Sequence, residues 1–454
     1  MTGHPRDHGD AVSRHPRDRE GAVSRHPRDR EGAVSRHPRD RERAVSRHPR
    51  DRAIDAARAY AIVGVVAGHW LVTGLVPGPD GLRTASPLAA MPALAPATWV
   101  LQTLGLFFFA GGYAAVRSRS RAPAGRSGPP RPGGAGRRLV LPVLALLGAW
   151  ALVLFVGAAL GVSATTLGTI GGLVVGPLWF LLPYLALRAA TGPLSAVVAR
   201  LGAVTALPPI AVVAAADLGL LPGTVAVPAA WAVPWLLGMS LAARRPGSGA
   251  SGIDQSCVSA RGNGCLGALL ALGGGAALAA LVVFAGYPAS AVGVPGGGRS
   301  NLSPPSLAAV ALAVSQIGVF LMVRAPLARV LARDRYWRPV AALNRVAVPV
   351  YLRHQSVLLA VAGAASLADP AVPGLLTAPT RAGWVIDRVA WLPVLALVLA
   401  FVAGERRHGD PGYFKRGLRG TLFDGSTSPD LPTEVIAVRD SDPPSRGRAA
   451  RQPL

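Results

Sequence analysis

The sequence predicts an all-α integral membrane protein of about ten transmembrane helices with both termini in the cytoplasm, and three observations predict it. The chain is 51% hydrophobic and only 15% charged, with a mean hydropathy of +0.38, a balance suited to burial in lipid. Between about Ala56 and Gly404 it runs as a series of apolar stretches, each near the 20 residues that span a bilayer. Arginine alternates sharply between the connecting segments, which sets orientation.

The chain divides into a disordered basic tail over 1–52, a ten-span domain over 53–403 and a second disordered cytoplasmic tail over 404–454. Residues 1–52 repeat an eleven-residue unit, AVSRHPRDREG, with HPRD recurring at His4, His15, His26, His37 and His48. A proline in every copy and no apolar face forbid a packed helix or a solenoid. Six of the nine histidines sit in this tail, but a spacing of eleven in a flexible chain gives a metal no preformed geometry. Each copy contains a valine that a misread start would use, which leaves a beginning near Val45 open. No n-region, h-region and cleavage site precede the first apolar segment, so that segment is expected to stay in the product.

The ten apolar stretches are 57–76, 97–116, 139–160, 173–190, 202–218, 225–243, 266–285, 305–323, 343–364 and 383–403. Segments 117–138, 244–265 and 324–342 are rich in Arg, while their counterparts hold only Arg83, Arg299 and Arg381. The net charge of +24 is therefore mainly a topology signal, and nucleic acid is not an expected partner. Outside the two tails the chain holds 24 Arg against 7 Asp, with no Glu and no Lys. Paired-carboxylate catalysis, a Walker-type lysine and a Lys Schiff base have almost nothing to work with. Cys257 and Cys265, without CxxC or Cys/His spacing, make no zinc site of the usual kind, and no metal is expected. Gly262, Gly264 and Gly267 spell GxGxxG with no strand before them, Ser240 lacks a strand-to-helix turn, and Asn301-Leu-Ser303 is a sequon by chance.

Ionisable groups inside spans are costly and are the functional candidates. The two histidines inside are His69, about 18 Å deep along the first helix, and His354, about 15 Å deep along the ninth. They reach the same depth from opposite ends of the chain. Arg58 stands three helical turns before His69, about 16 to 17 Å away along one stripe. A cation at the mouth and a titratable base at the bilayer centre suit a long, thin, anionic cosubstrate whose reactive end must reach the base. Asp55, one turn before Arg58, can pair with Arg52 or Arg58 and fix its direction.

These residues meet a known family. RAIDAARAYAIVGVVAGHW, residues 52–70, resembles the first helix of the acyltransferase-3 family, whose signature is an Arg and a His separated by ten residues. FFFAGGY, Phe107 to Tyr113, is similar to that family's aromatic run ending in Ser-Gly-Tyr, with Gly111 in place of the Ser. GPLWFL, Gly176 to Leu181 and including Trp179, resembles its Leu-Trp-Phe-Leu segment. LNRVAVPVYLRHQSVLL, Leu343 to Leu359, resembles its penultimate helix, where Tyr-Leu-x-His corresponds to Tyr351, Leu352 and His354. The family's Arg-x-x-Arg at the third helix is met only by Arg138 and its neighbour Arg137, since Ala135 stands three before Arg138.

The resemblance implies a multi-pass enzyme of a bacterial-type plasma membrane that moves an acyl group, with acetyl the expected one, from cytoplasmic acyl-coenzyme A to a hydroxyl of a carbohydrate or small-molecule acceptor. His69 would be the general base, His354 and Tyr351 would orient the acceptor or polarise the carbonyl, and Arg58, Arg137 and Arg138 would hold the coenzyme's phosphates. Asp55, Arg52 and Trp179 would support them. The residues alone also admit a transporter or flippase for an anionic lipid or metabolite, because intramembrane Arg and His mark substrate pathways and Arg353 sits beside His354.

Overall fold

The computed structural model describes residues 51–119, 137–244 and 252–404. The repeat-bearing residues 1–50 and the expected tail over 405–454 lie outside the described residues. Each of the ten apolar stretches is largely helical, although the first, 57–76, runs on past its helix into a strand. The long helices are α1 (Arg52–Val72), α2 (Leu104–Arg119), α3 (Arg137–Ala159), α4 (Ala164–Val175), α5 (Leu181–Leu201), α6 (Leu207–Asp217), α7 (Gly223–Ala243), α8 (Gly252–Phe284), α9 (Leu307–Leu331), α10 (Asp334–Arg345), α11 (Ala347–Ser366) and α12 (Ala382–Gly404).

Asp51 starts α1 by accepting the Ile54 N–H at 3.2 Å, the expected job of an N-cap carboxylate. The same carboxylate takes Arg324 at 2.6 Å and the Tyr113 hydroxyl at 2.9 Å, tying α1 to α9 and α2. Ala53, Ala57 and Ala61 recur at helical spacing and let α1 lie close to Phe109 of α2 and Ile317 of α9. On its other side Ile62, Val66 and Trp70 pack on α11 and α12. The chain leaves α1 through a hairpin that the sequence reading did not place: β1 (Gly74–Gly78) pairs antiparallel with β2 (Gly81–Ala85), with Gly74 opposite Ala85. Gly81 closes its turn at φ 121°, a conformation that favours glycine.

Two helix pairs meet backbone to backbone. A Cβ on Gly112 would stand 2.1 Å from the Trp235 carbonyl oxygen and one on Gly238 2.0 Å from that of Phe109, so α2 and α7 cross only because both are glycine. In α8 and α9, Gly318 presses on Ala271 and Gly274 on Ser315, at 2.2 and 2.6 Å from such a Cβ. Gly262, Gly264 and Gly267 lie within α8, where Gly267 faces the Gly318 carbonyl. Asp217 ends α6 and receives the Leu307 N–H at the start of α9 and the Tyr287 hydroxyl, both at 2.8 Å, which is a structural duty. Buried Asn301 is likewise a loop organiser, donating to the Pro288 and Ser290 carbonyls.

Among the described residues seven helical segments are long and apolar enough to cross a membrane, or eight when α10 and α11, bent by 70°, are taken as one span. The difference from ten has a physical reason. Helix α1 carries Arg52, Asp55, Arg58 and His69 in 21 residues, which dilutes its apolarity. The run Ala164–Asp217 counts once although its 54 residues contain α4, α5 and α6, and far exceed the roughly 20 that one crossing needs. The chain is a multi-pass membrane protein.

Candidate active site

The seam between α1 and α11 brings together the histidines that the sequence singled out. The rings of His69 and His354 lie 5.1 Å apart between centroids, tilted by 44°, and that of Tyr351 lies 5.8 Å from His354. Trp70, next to His69, donates its indole N–H to the His354 carbonyl oxygen at 3.0 Å, a bond that fixes the two helices in register. The Tyr351 hydroxyl donates to the carbonyl oxygen of Pro177, in the Gly176–Phe180 turn between α4 and α5. That turn therefore contributes Pro177, together with Phe180, whose ring is 4.9 Å from Tyr351. Trp179, expected as support, stands one step outside, 6.1 Å from Trp231.

His354 is 1% exposed. Its Nδ1 is 2.6 Å from the Tyr351 carbonyl oxygen, and a carbonyl only accepts, so Nδ1 carries the hydrogen in the neutral ring. Nε2 is then a buried lone pair with no partner among the described residues. His69 has its Nδ1 3.4 Å from the carboxamide nitrogen of Gln355. Among the described residues no Ser, Thr or Cys side chain is hydrogen-bonded to either imidazole, and no group of three or more His, Cys, Asp or Glu could hold a metal ion. Cys265 is exposed on α8, and the Cys257 side chain lies outside the described residues.

Two cavities flank this seam. One, of about 210 Å³, contains Arg58, Arg188, Phe107, Tyr184 and Tyr351. The other, of about 300 Å³, is lined by His69, Thr73, Thr84, Thr98 and Gln102 and lies toward the hairpin. Val65, between Arg58 and His69 on α1 and one turn before the histidine, lines both. The single stripe expected from Arg58 to His69 thus borders two largely apolar chambers, one with two arginines and several aromatic rings in its lining, the other with His69 and a few neutral polar side chains. Arg52 donates to the Leu331 and Ala332 carbonyls and meets Asp334 at 3.5 Å, joining α1 to the α9–α10 corner. Asp55 offers its backbone carbonyl to Asn344 at 2.7 Å. Arg137 and Arg138 open α3, and their side chains lie outside the described residues. Arg353 donates to the Val402 carbonyl at the far end of α12.

Sequence reasoning missed three residues here. Arg188 is a charge inside the stretch 173–190, and the rule that flagged His69 would have found it. Gln355 follows His354 directly. Arg388 is fully buried in α12, donating to the Thr73 carbonyl one turn beyond His69, with its Nε and Nη1 unpartnered. No curated protein and no solved structure matches the chain significantly. A family model described as an acyltransferase domain matches residues 51–404, all of the helical core and both flanking histidines of the site, and the chain thus belongs to the acyltransferase-3 family and is a membrane-embedded acyltransferase.

Proposed function

We propose that this protein transfers an acyl group, acetyl in the simplest case, from cytoplasmic acyl-coenzyme A to a hydroxyl of a carbohydrate or small-molecule acceptor, in a bacterial-type plasma membrane that it crosses ten times with both termini cytoplasmic. One observation carries the reading: two cavities share Val65 beside the His69–His354 pair, one with the guanidinium groups of Arg58 and Arg188 in its lining and the other with His69. Arg58 and Arg188 hold phosphates in the cationic chamber, for which the guanidinium fork is well shaped, and the family resemblance assigns the same task to Arg137 and Arg138. The chamber that His69 lines takes the acceptor.

His69 takes the proton of the acceptor hydroxyl as its oxygen attacks the thioester carbonyl, and returns a proton to the departing thiolate when the tetrahedral adduct collapses. The products are ester and free thiol. His354 orients the acceptor through its open Nε2, and Tyr351 contributes its ring and hydroxyl oxygen, its hydrogen being held by Pro177. Direct transfer is favoured because no Ser or Cys nucleophile is bonded to either imidazole among the described residues.

Thiol release tests the reading. Membranes containing the protein should liberate free coenzyme A from acetyl-coenzyme A when an acceptor extract is added, and those containing His69→Ala should not. A transporter would move substrate and release none.

A further inference from the structure

An imidazole serves as a base only if one nitrogen keeps its lone pair and the other keeps its hydrogen, and the site arranges this differently for its two rings. The backbone settles His354, through the Tyr351 carbonyl. For His69 the partner is a side chain, the carboxamide of Gln355. A carboxamide has a donor at one corner and an acceptor at the other, and a half-turn about its terminal bond exchanges them. As it stands the nitrogen faces His69 Nδ1 at 3.4 Å, while Oε1 is buried with no hydrogen-bond partner and the residue is 4% exposed. An unsatisfied buried acceptor is thus one half-turn from the nitrogen that must be protonated if the other is to act as the base.

We propose that Gln355 is the positioning residue of His69, a neutral tautomer selector. With Oε1 turned to His69 it accepts the Nδ1–H, leaves the Nε2 lone pair for a hydroxyl in the cavity that His69 lines, and stabilises the imidazolium formed when that hydroxyl gives up its proton. With its nitrogen turned to His69 it holds the opposite tautomer, in which Nε2 carries the hydrogen and cannot act as a base. The proposal rests on the reading of His69 as the base. Two features make the contact a built one. Trp70 pins α1 to α11 at this level through the His354 carbonyl. Gln355 also follows His354 directly, so one turn of α11 governs both rings. A neutral amide does this without a buried carboxylate, whose desolvation in a membrane domain is costly.

Gln355 lines neither cavity, so its loss should act on turnover and not on binding. Gln355→Met should lower kcat about 10- to 100-fold while KM for both substrates stays within about twofold. Gln355→Glu, which offers a carboxyl oxygen as acceptor to Nδ1–H in either protonation state, should keep kcat within about fivefold of the parent. A Met variant with parental kcat, or a Glu variant as slow as the Met variant per folded molecule, would overturn the proposal. The ¹⁵N resonances of His69, assigned by their loss in His69→Ala, give a readout that needs no turnover. Gln355→Met should change the separation of the two ring nitrogens, and an unchanged pair would overturn the proposal as well. Normal turnover in His69→Ala would instead sink the base reading, leaving the resonances to decide whether Gln355 sets the tautomer.

Discussion

The α8–α9 contact and the α1–α11 contact are made of opposite materials. In the first, Gly267, Gly274 and Gly318 bring two backbones together, and among the described residues the Ser315 hydroxyl completes its hydrogen bond on the Ala271 carbonyl at 2.9 Å. In the second, Trp70, His69, Tyr351, His354 and Gln355 fill the seam, and the last two keep buried polar atoms without partners. Hydrocarbon offers no water to satisfy such atoms, so leaving them open costs stability that close glycine packing does not. A helix contact that needs only to hold is finished with small residues. The α1–α11 seam instead retains buried polar atoms whose hydrogens can be rearranged between neighbouring side chains.

That contrast can be broken from either side. The largest effect is expected at the seam: His69→Ala should lower kcat by at least about 100-fold while the protein still folds and binds acyl-coenzyme A. Turnover per folded molecule together with donor binding checks it, and loss of folded protein with normal turnover would make His69 a packing residue.

Gly318→Leu should do the reverse, since its side chain meets the backbone of Ala271. Overpacking of this kind costs about 1 to 3 kcal/mol or more, so the yield of folded protein in detergent should fall while surviving molecules turn over normally. A smaller change is expected at the cationic chamber. Arg58→Ala or Arg188→Ala should raise KM for acyl-coenzyme A about tenfold with less effect on kcat, and Arg58→Lys should restore only part of it, an ammonium lacking the bidentate fork. Titrating the donor at saturating acceptor distinguishes the two constants.

The smallest effect belongs to the cap of α1. Burial pushes the Asp51 carboxyl up, but Arg324, Tyr113 and the Ile54 N–H outweigh it and hold the group below its usual 3.8. A folded-state value below the unfolded one means that Asp51 stabilises the fold above about pH 4 and that this contribution is lost as pH falls through the lowered value. Asp51→Asn should therefore cost about 1 kcal/mol at neutral pH and flatten the acid limb of a thermal-melting profile.

The histidine pair was legible because an ionisable residue in an apolar run stands out, and helical rise alone puts His69 and His354 at one depth. Arg188 and Arg388 broke the same pattern and were legible by the same rule. Gln355 was not: a neutral amide beside a histidine becomes informative only when another helix places an imidazole against it. The hairpin after α1 was hidden because GLVPG and GLRTA are too short for a period of two to show. Helix α4 was hidden because ATTLGTIGGLVV has the polarity of a loop over its first half.

By itself the sequence determined that the chain enters a membrane, where most of its helices run, and which two imidazoles lie within its apolar segments, since apolarity, length and buried charge are properties of single segments. Only the tertiary structure decided that Arg58 and His69 face different chambers across Val65, that Tyr351 gives its hydrogen to Pro177, and that Gln355 reaches His69. Those outcomes depend on how α1, α11 and the Gly176–Phe180 turn cross, and crossing is set by the shapes of several helices at once.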